Sequence, residues 1–427
     1  MQEWLTFEEI QEIILNSTFQ SLGSDLKKFL ERSRKIQSNR ELFELQVEIS
    51  HKIIPLEKRI SGLRSKADRK KRNIEWLSRE VFKAQRRALK QIIDGIAWRY
   101  LNFKRSALRL LAEHHQTGFL DKGFLEEIKV AQQIIERTDY FVIINDLTEI
   151  LRHGDLTIIS KDKIFIDEVK GGTAHDRRKI RQKNRVDDIL DMLNKKVVTI
   201  GRQKADVAEI PIAPTSLLSD AEMIINKTYG NETGIYADKI TPYLWVRCAN
   251  YEKMAEYFKK YKKMPDLPKN PFRNSLYFRP ESNFTVFEST GPNLAPYTIF
   301  PFKEEVLVDL ILGRTFLYIT IGEDEIVESV KGKGWTMEIP SPALIREMIN
   351  KNTPKESKDA IRDPKYFVRF MKDNFVHAFP REVLLRVPHE FLSVKSLVDL
   401  CEYSLKNAKP YERLLVTDFT QEYIQWL

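Results

Sequence analysis

The 427-residue chain lacks the features of several protein classes. Its two cysteines, Cys248 and Cys401, are too few for a disulfide framework, and neither lies at metal-ligand spacing. No apolar run approaches the roughly 18 residues that a membrane span needs. The first residues, MQEWLTFEEIQEII, are acidic and amphipathic, unlike a secretory signal. We therefore expect a cytoplasmic protein that has no membrane as a partner.

Motifs of several enzyme classes are also missing. The chain has no G-x-S-x-G, no G-x-x-x-x-G-K-[ST], no H-E-x-x-H and no G-x-G-x-x-G. These absences count against serine hydrolases, P-loop NTPases, zinc peptidases and dinucleotide-binding enzymes. What is present is a hydrophobic fraction of 42%, 24 phenylalanines and a net charge of +9. This composition predicts folded domains and permits a polyanionic partner.

Hydropathy patterns divide the chain into three parts. Apolar residues recur at heptad spacing over 55–88, and Pro55 is the expected first residue of that helix. Helical and β-rich patterns then follow in the order helix, several strands, helix and a short strand, VVTIG. Beyond residue 205, EEVLVDLILG and LSVKSLVDLCEYSL are typical of helices and RTFLYITIG of a strand, and segments rich in proline and aromatic residues join such elements. We predict an α/β fold with a helical or coiled-coil region at 1–89, an α/β core at 90–204 and a mixed α/β domain at 205–427.

The heptad pattern allows two interpretations. In the first, an earlier helical stretch at 22–30 folds back on the 55–88 helix as an intramolecular hairpin. In the second, the 55–88 seam forms a homodimeric coiled coil, and Lys70 at a core position sets its register. The basic outer face of this helix is either a solvated surface or a contact surface for nucleic acid.

The stretch GDLTIISKDKIFIDEVKGG, residues 154–172, predicts a β-hairpin. A tight turn at 161–162 sets a register in which the numbers of opposed residues sum to 323. In that register Asp155 faces Glu168, with Cβ atoms about 5 Å apart. Because both faces of the hairpin are mostly apolar, we expect the two strands to be buried at the centre of a sheet.

Charged residues cluster at the open end of this hairpin. Opposed carboxylates repel each other, and buried charges without partners are costly. Lys170 can neutralise one unit of charge, and a divalent cation can neutralise the rest. Two carboxylates and a backbone carbonyl are ligands that suit Mg²⁺ or Mn²⁺. The sequence therefore predicts a metal site at the strand ends, with a buried ion pair that serves only stability as the alternative.

Asp155, twelve intervening residues and Glu168-Val169-Lys170 resemble the signature of the PD-(D/E)XK nuclease superfamily, which has a restriction-endonuclease-like fold. The resemblance covers about a quarter of the chain and implies an αβββαβ core. It implies that Asp155 and Glu168 hold Mg²⁺ or Mn²⁺, with the Val169 carbonyl as a further ligand. It also implies that Lys170 positions the attacking water.

Further site residues follow from the same resemblance. Some branches add an acidic residue from the helix before the first strand, for which Glu149 is the candidate. Others add a glutamine from the helix after the E-x-K element, for which Gln182 is the candidate. Gln182 lies on the stripe of its helix that faces the sheet. Basic residues of that helix either contact phosphates or form a solvated face: Arg177, Arg178, Arg181 and Arg185.

The function that the resemblance implies is that of a metal-dependent endonuclease, a phosphodiester hydrolase with double-stranded DNA as the favoured substrate. By analogy, the chain would act as a defence factor against phage or plasmids. A homodimer through 55–88 would match the two-fold symmetry of duplex DNA, and the C-terminal domain would receive an activator or partner protein. The alternative is a non-enzymatic nucleic-acid-binding or assembly protein with a degenerate nuclease fold.

Overall fold

A computed structural model provides the structure of the chain. It describes residues 19–67, 74–101, 108, 111, 122–161, 163–169, 186–187, 190–200, 203–209, 216–273, 275–278, 296–338, 367–373, 375–380, 393–407 and 413–416. None of the helices in this part of the chain combines the length and apolarity that crossing a bilayer requires.

Three long helices form the N-terminal part: α1 (Phe19–Lys35), α2 (Asn39–Gly62) and α3 (Ile74–Tyr100). The start of α2 is set by a reciprocal cap. The Glu41 N–H donates to the Ser38 hydroxyl at 3.2 Å, and the Ser38 N–H donates to the Glu41 carboxylate at 3.1 Å. These bonds satisfy backbone donors that have no partner within the helix.

The predicted helix over 55–88 is wrong in its boundaries. Pro55 lies inside α2 and is not its first residue, because the cap at Ser38 starts the helix earlier. The helix ends at Gly62, and α3 begins at Ile74. Helices α2 and α3 pack against each other within the chain, and α1 packs against both. Seam residues such as Ile60 are buried by this packing, while a homodimer through 55–88 stays a prediction.

Helix α4 (Lys122–Arg137) leads into an antiparallel sheet with strand order β1 (Phe141–Ile144), β2 (Leu156–Ile159) and β3 (Ile164–Asp167). The register pairs Thr157 with Ile166 and Ile159 with Ile164, so the predicted hairpin register is confirmed. The turn is closed by the Ser160 N–H, which donates to the Lys163 carbonyl at 2.9 Å.

The expected burial of both hairpin strands is only half correct. Strand β2 is buried, and Leu156 and Thr157 are fully enclosed. Strand β3 is the outer strand of this sheet in the described part of the chain, and its Phe165 side chain is 41% exposed. The exposed residues of β3, Phe165 and Asp167, share one face of the strand, so that face is not covered and the apolar pattern overstated the burial of β3.

Amide side chains hydrogen-bond both outer strands of this sheet. Gln46 on α2 accepts the Ile144 N–H and donates to the Val142 carbonyl, each at 2.8 Å. Asn194, in a short π-helix (Asp191–Lys195), accepts the Ile164 N–H and donates to the Ile164 carbonyl, each at 2.9 Å. Both residues therefore supply the partners that a further strand would supply.

The next two strands, β4 (Val197–Ile200) and β5 (Gln203–Glu209), pair with each other in a second sheet. Strand β4 confirms the strand predicted at VVTIG. Among the described pairings, β4 has no bond to the first sheet. The chain is therefore a mixed α/β protein whose order from α4 to β3 agrees with the predicted helix and three strands.

The described residues fall into two compact units. Unit 1 lies within Met1–Glu209, Glu281–Arg314 and Lys409–Leu427, and unit 2 lies within Ile210–Pro280 and Thr315–Ala408. The predicted division at 1–89, 90–204 and 205–427 stays a prediction.

The described elements from residue 216 onward are α5 (Leu218–Gly230), β6 (Ile235–Thr241), β7 (Leu244–Asn250), α6 (Tyr251–Tyr261), β8 (Ser275–Phe278), α7 (Glu304–Leu312), β9 (Thr315–Gly322), α8 (Glu323–Lys331), β10 (Thr336–Glu338), β11 (Phe367–Lys372), β12 (Phe375–Pro380), α9 (Val394–Asn407) and β13 (Arg413–Val416). Unit 2 contains a four-stranded antiparallel sheet with strand order β6-β7-β9-β8 and a three-stranded sheet with order β10-β11-β12.

Helix α7 and strand β13 belong to unit 1, where α7 packs on α1 and β13 pairs in parallel with β5. The sequence patterns of α7, β9 and α9 predicted their types correctly.

Replacing Gln46 with leucine should destabilise the protein. The Ile144 N–H and the Val142 carbonyl would lose their partners in a dry interior, so we expect a loss of about 2 to 4 kcal/mol in the free energy of unfolding. Urea denaturation measures this loss. The matched control is Gln132→Leu at an exposed position of helix α4, which should change stability by no more than about 0.5 kcal/mol. Equal effects of the two substitutions would contradict the edge-binding role of Gln46.

Candidate functional site

Asp155 joins β1, β2 and the segment that follows β3. Its N–H donates to the Asp167 carbonyl at 2.8 Å, and its own carbonyl accepts the Asn145 N–H at 2.9 Å. Its carboxylate Oδ2 accepts the Val169 N–H at 2.9 Å. Asp155 is therefore fixed through its backbone on two sides and through its carboxylate to the residue after Glu168.

The regular ladder of the hairpin stops one pair before Asp155 and Glu168. Its last pair is Leu156 with Asp167, and the Asp155 N–H bonds to Asp167 rather than to Glu168. The bond from the Val169 N–H places the Asp155 carboxylate beside the Glu168-Val169 peptide. Glu168 is exposed, and no described residue forms an ion pair or hydrogen bond with its carboxylate.

Gly154 allows the backbone to pass close to β3 just before Asp155. Its φ of +68° lies in the left-handed region, and a Cβ there would lie 2.4 Å from Ile166 Cγ2 and 2.9 Å from the Asp167 carbonyl oxygen. Proline holds φ near −65° and cannot adopt this conformation. The local backbone therefore favours glycine and excludes proline at the position before Asp155.

Asn145 is a site residue that the sequence analysis missed. It is 3% exposed, and its Nδ2 donates to the His153 carbonyl at 2.8 Å. Its Oδ1 accepts the buried Thr157 hydroxyl at 2.8 Å. The side chain thus holds the segment before Asp155 against β2. A polar residue directly after the apolar run FVII was the available signal.

Glu149 lies in the connection between β1 and β2 and not on a helix before the first strand. This position differs from the context that made it a candidate ligand. The Lys90 ammonium lies 3.8 Å from its Oε1, and the Arg152 guanidinium lies 3.7 Å from its Oε2. Its N–H donates to the Asp94 carboxylate at 2.9 Å. The buried acidic residue of the helix that does precede β1 is Glu127 on α4.

The pKa values of the buried acids Asp94 and Glu149 are shifted in opposite directions. Burial, aided by the nearby Glu149 carboxylate, raises the pKa of Asp94 to about 7. For Glu149, burial acts in the same direction, but four nearby cations outweigh it and hold the pKa below its usual value. Those cations are Lys90, Arg86, Arg152 and Arg87. The Glu149 carboxylate is therefore ionised within a basic environment.

The remaining predicted site residues lie outside the described part of the chain. They are Lys170, Gln182, Arg177, Arg178, Arg181 and Arg185. Within the described ranges, no group of three His, Cys, Asp or Glu residues is placed to hold a metal ion. Mg²⁺ is commonly held by one or two carboxylates together with waters and substrate phosphates. The carboxylates of Asp155 and Glu168 and the Val169 carbonyl are oxygen groups of this kind, and their role as metal ligands stays a prediction.

Comparison of the chain with protein-family models, with curated proteins and with solved structures finds no match. The resemblance to the PD-(D/E)XK nucleases therefore rests on the hairpin residues and on the order of the surrounding elements.

Replacing Gly154 with alanine should destabilise the hairpin end. The left-handed backbone costs a side chain about 1–2 kcal/mol, and the contacts with Ile166 and Asp167 add to that cost. The matched control is Gly62→Ala at the end of α2, where a Cβ meets nothing within 4 Å. Thermal unfolding of both variants measures the difference. Unchanged stability of Gly154→Ala would show that this backbone conformation is not required.

Asp94→Asn should remove a pH-dependent part of the stability. The folded protein holds a proton on Asp94 up to about pH 7, whereas the unfolded chain releases it near pH 4. The stabilisation is therefore full below about pH 4 and is lost as the pH rises towards 7. Asparagine can still accept the Glu149 N–H.

The measurement is the free energy of unfolding of the wild type minus that of Asp94→Asn, from urea denaturation at several pH values. This difference should fall with rising pH, by at most about 1.4 kcal/mol for each pH unit. Asp139→Asn at an exposed position is the control. A difference that does not vary between pH 4 and 7 would contradict the raised pKa of Asp94.

Proposed function

We propose that the chain is a Mg²⁺- or Mn²⁺-dependent nuclease that hydrolyses phosphodiester bonds. The observation that carries the proposal is the hydrogen bond from the Val169 N–H to the Asp155 carboxylate. This bond brings the acid before β2 and the Glu168-Val169 segment after β3 to the same open end of one hairpin. The confirmed register of the strands supports the proposal, because it brings the two ends together.

The chemistry divides among a few groups of the chain. Asp155 and Glu168, with the Val169 carbonyl, would hold the cation, which when bound supplies charge neutralisation at the phosphate and lowers the pKa of water. Lys170 follows directly in the chain and would orient the attacking water. Asn145 and Gly154 would keep the Asp155 carboxylate in place during the reaction, because both fix the backbone that leads to it.

The accessibility of the hairpin end suits a polymeric substrate. Asp155 is half-buried, while Asp167 and Glu168 are exposed beside it. A nucleic-acid strand must approach from solvent, and the exposed outer face of β3 leaves this approach open.

The finer parts of the proposal rest on the resemblance alone. They are double-stranded DNA as the substrate, the restriction-endonuclease-like core, phosphate contacts by the four arginines of 177–185, and the roles of Gln182 and Glu149 in the site. A homodimer, an activating partner for the C-terminal domain, a cytoplasmic location and a role in defence against phage or plasmids belong with them.

Cleavage of a plasmid tests the proposal. The wild-type protein should nick or linearise the plasmid with Mg²⁺ or Mn²⁺ and should leave it intact in a chelator. Asp155→Asn keeps an acceptor for the Val169 N–H but removes the negative charge, so the rate should fall roughly a hundredfold or more. Lys170→Ala should also abolish cleavage, because the attacking water loses its positioning cation.

The matched control is Lys161→Ala in the exposed turn of the same hairpin, which should cut at the wild-type rate. Cleavage that persists in both Asp155→Asn and Lys170→Ala would remove these residues from the site. A wild-type protein that binds DNA and RNA but cuts neither with either ion would favour the alternative, a nucleic-acid-binding or assembly protein.

A further inference from the structure

One face of the four-stranded sheet in unit 2 carries a cation that forms no ion pair with an acid of the described residues. Arg247 on β7 is directly opposed to Tyr318 on β9 and to Ala237 on β6, so these side chains share a face. Trp245 precedes Arg247 by two residues and lies on the same face. We call the surface formed by Arg247, Lys239, Trp245, Tyr318 and Tyr251 the arginine face.

Aromatic rings rather than carboxylates surround the Arg247 guanidinium. It lies 4.5 Å from the Tyr318 ring centroid and 5.8 Å from that of Trp245. Its buried Nε has no hydrogen-bond partner, and in the described part of the chain no carboxylate forms an ion pair with it. A guanidinium that lies over aromatic rings and keeps unused hydrogen-bond donors is suited to bind an anionic group from outside.

A second cation stands next to Arg247 on the same face. Lys239 is directly opposed to Trp245, which places it diagonally across from Arg247, roughly 7–8 Å away by strand geometry. Its ammonium lies 4.9 Å from the Phe272 ring centroid, and its side chain is exposed. No ion pair joins Lys239 to an acid of the described residues. Two adjacent cations without acids match a ligand with more than one negative charge.

An exposed ring borders these cations. Tyr251, the first residue of α6, is 43% exposed, and its ring packs edge-on against Phe316 at 4.7 Å. Its hydroxyl bonds to the Tyr318 hydroxyl at 3.2 Å, which links it to the ring beneath Arg247. Helix α6 and the residues after it add exposed lysines without acidic partners in the described structure: Lys259, Lys262 and Lys263.

We propose that the arginine face binds single-stranded nucleic acid. Phosphates would contact Arg247 and Lys239, and an unpaired base would stack on Tyr251. Duplex DNA keeps the faces of its bases inside the helix, so it cannot use the exposed ring. An acidic protein could match the cations but has no equivalent use for that ring. The inference rests on the proposed function only for the class of polyanion, because binding here requires no cleavage.

Fluorescence anisotropy with the full chain tests this proposal. The probes are a labelled single-stranded DNA, the same sequence as RNA, the matching duplex and poly-glutamate, all in a chelator that prevents cleavage. Arg247→Gln and Lys239→Gln should each weaken single-strand binding roughly tenfold at low salt. Each should also lower the slope of log affinity against log salt by about 0.7.

The matched control is Lys227→Gln. This lysine also sits over a tyrosine ring, that of Tyr236 at 4.7 Å, but Tyr236 is opposed to Cys248 and lies on the other face of the sheet. Its affinity and salt slope should equal those of the wild type. Circular dichroism checks the folding of each variant, and exposed Lys239 provides the test if Arg247→Gln does not fold.

Unchanged affinity in both arginine-face variants would overturn the inference. Duplex bound as tightly as single strand would also overturn it, and so would equally tight poly-glutamate, which would point to an acidic protein. The result is separable from the nuclease proposal. Cleavage by the wild type with no binding defect in Arg247→Gln removes only this inference, whereas intact binding without cleavage removes only the nuclease.

Discussion

The hydrogen bond between the Asp155 carboxylate and the Val169 N–H is the constraint on which the candidate site depends. Without it, no described hydrogen bond would join Asp155 to the segment after β3, and the carboxylates of Asp155 and Glu168 would have no fixed relation. Gly154 makes the bond possible, because only its left-handed backbone lets the chain pass close to Asp167. The candidate site is therefore a property of backbone geometry as much as of its acids.

Side chains of helix α3 bind the loop between β1 and β2, which leads to the candidate site. The Lys90 ammonium donates to the Thr148 carbonyl at 3.3 Å, and the Asp94 carboxylate accepts the Glu149 N–H at 2.9 Å. Arg152 closes the same loop with a bond to the Glu149 carbonyl at 2.7 Å. A buried charged group without a partner is costly, so these bonds hold the helix and the loop in one arrangement.

The sequence was most informative where local rules decide the structure. The β2–β3 register followed from a tight turn and an alternation of two, and both act within a few residues. The predicted helix start at Pro55 was wrong, because the cap at Ser38 begins the helix earlier and proline lies inside it. The predicted burial of β3 was wrong, because the apolar pattern of a strand does not show whether the strand is an outer or a central one.

Long-range partners were beyond the reach of the sequence. Gln46 and Val142, whose bond secures an edge of the first sheet, are 96 residues apart. Nothing in the local pattern around Gln46 distinguishes it from a solvated glutamine on a helix. The partners of Glu149 were missed for the same reason, since Lys90 and Asp94 meet it only after folding. The acids of the hairpin were found because they are near one another in the chain.

Strand β13 completes the second sheet of unit 1, although it is far from its partner strand β5 in the chain. Its residue Arg413 pairs with Asp206 on β5, and all of unit 2 lies between them in the chain. The ribosome synthesises the chain from the N-terminus, so β5 cannot pair with β13 until unit 2 has been synthesised. The nascent protein therefore carries an open parallel edge on β5 until all of unit 2 has been synthesised.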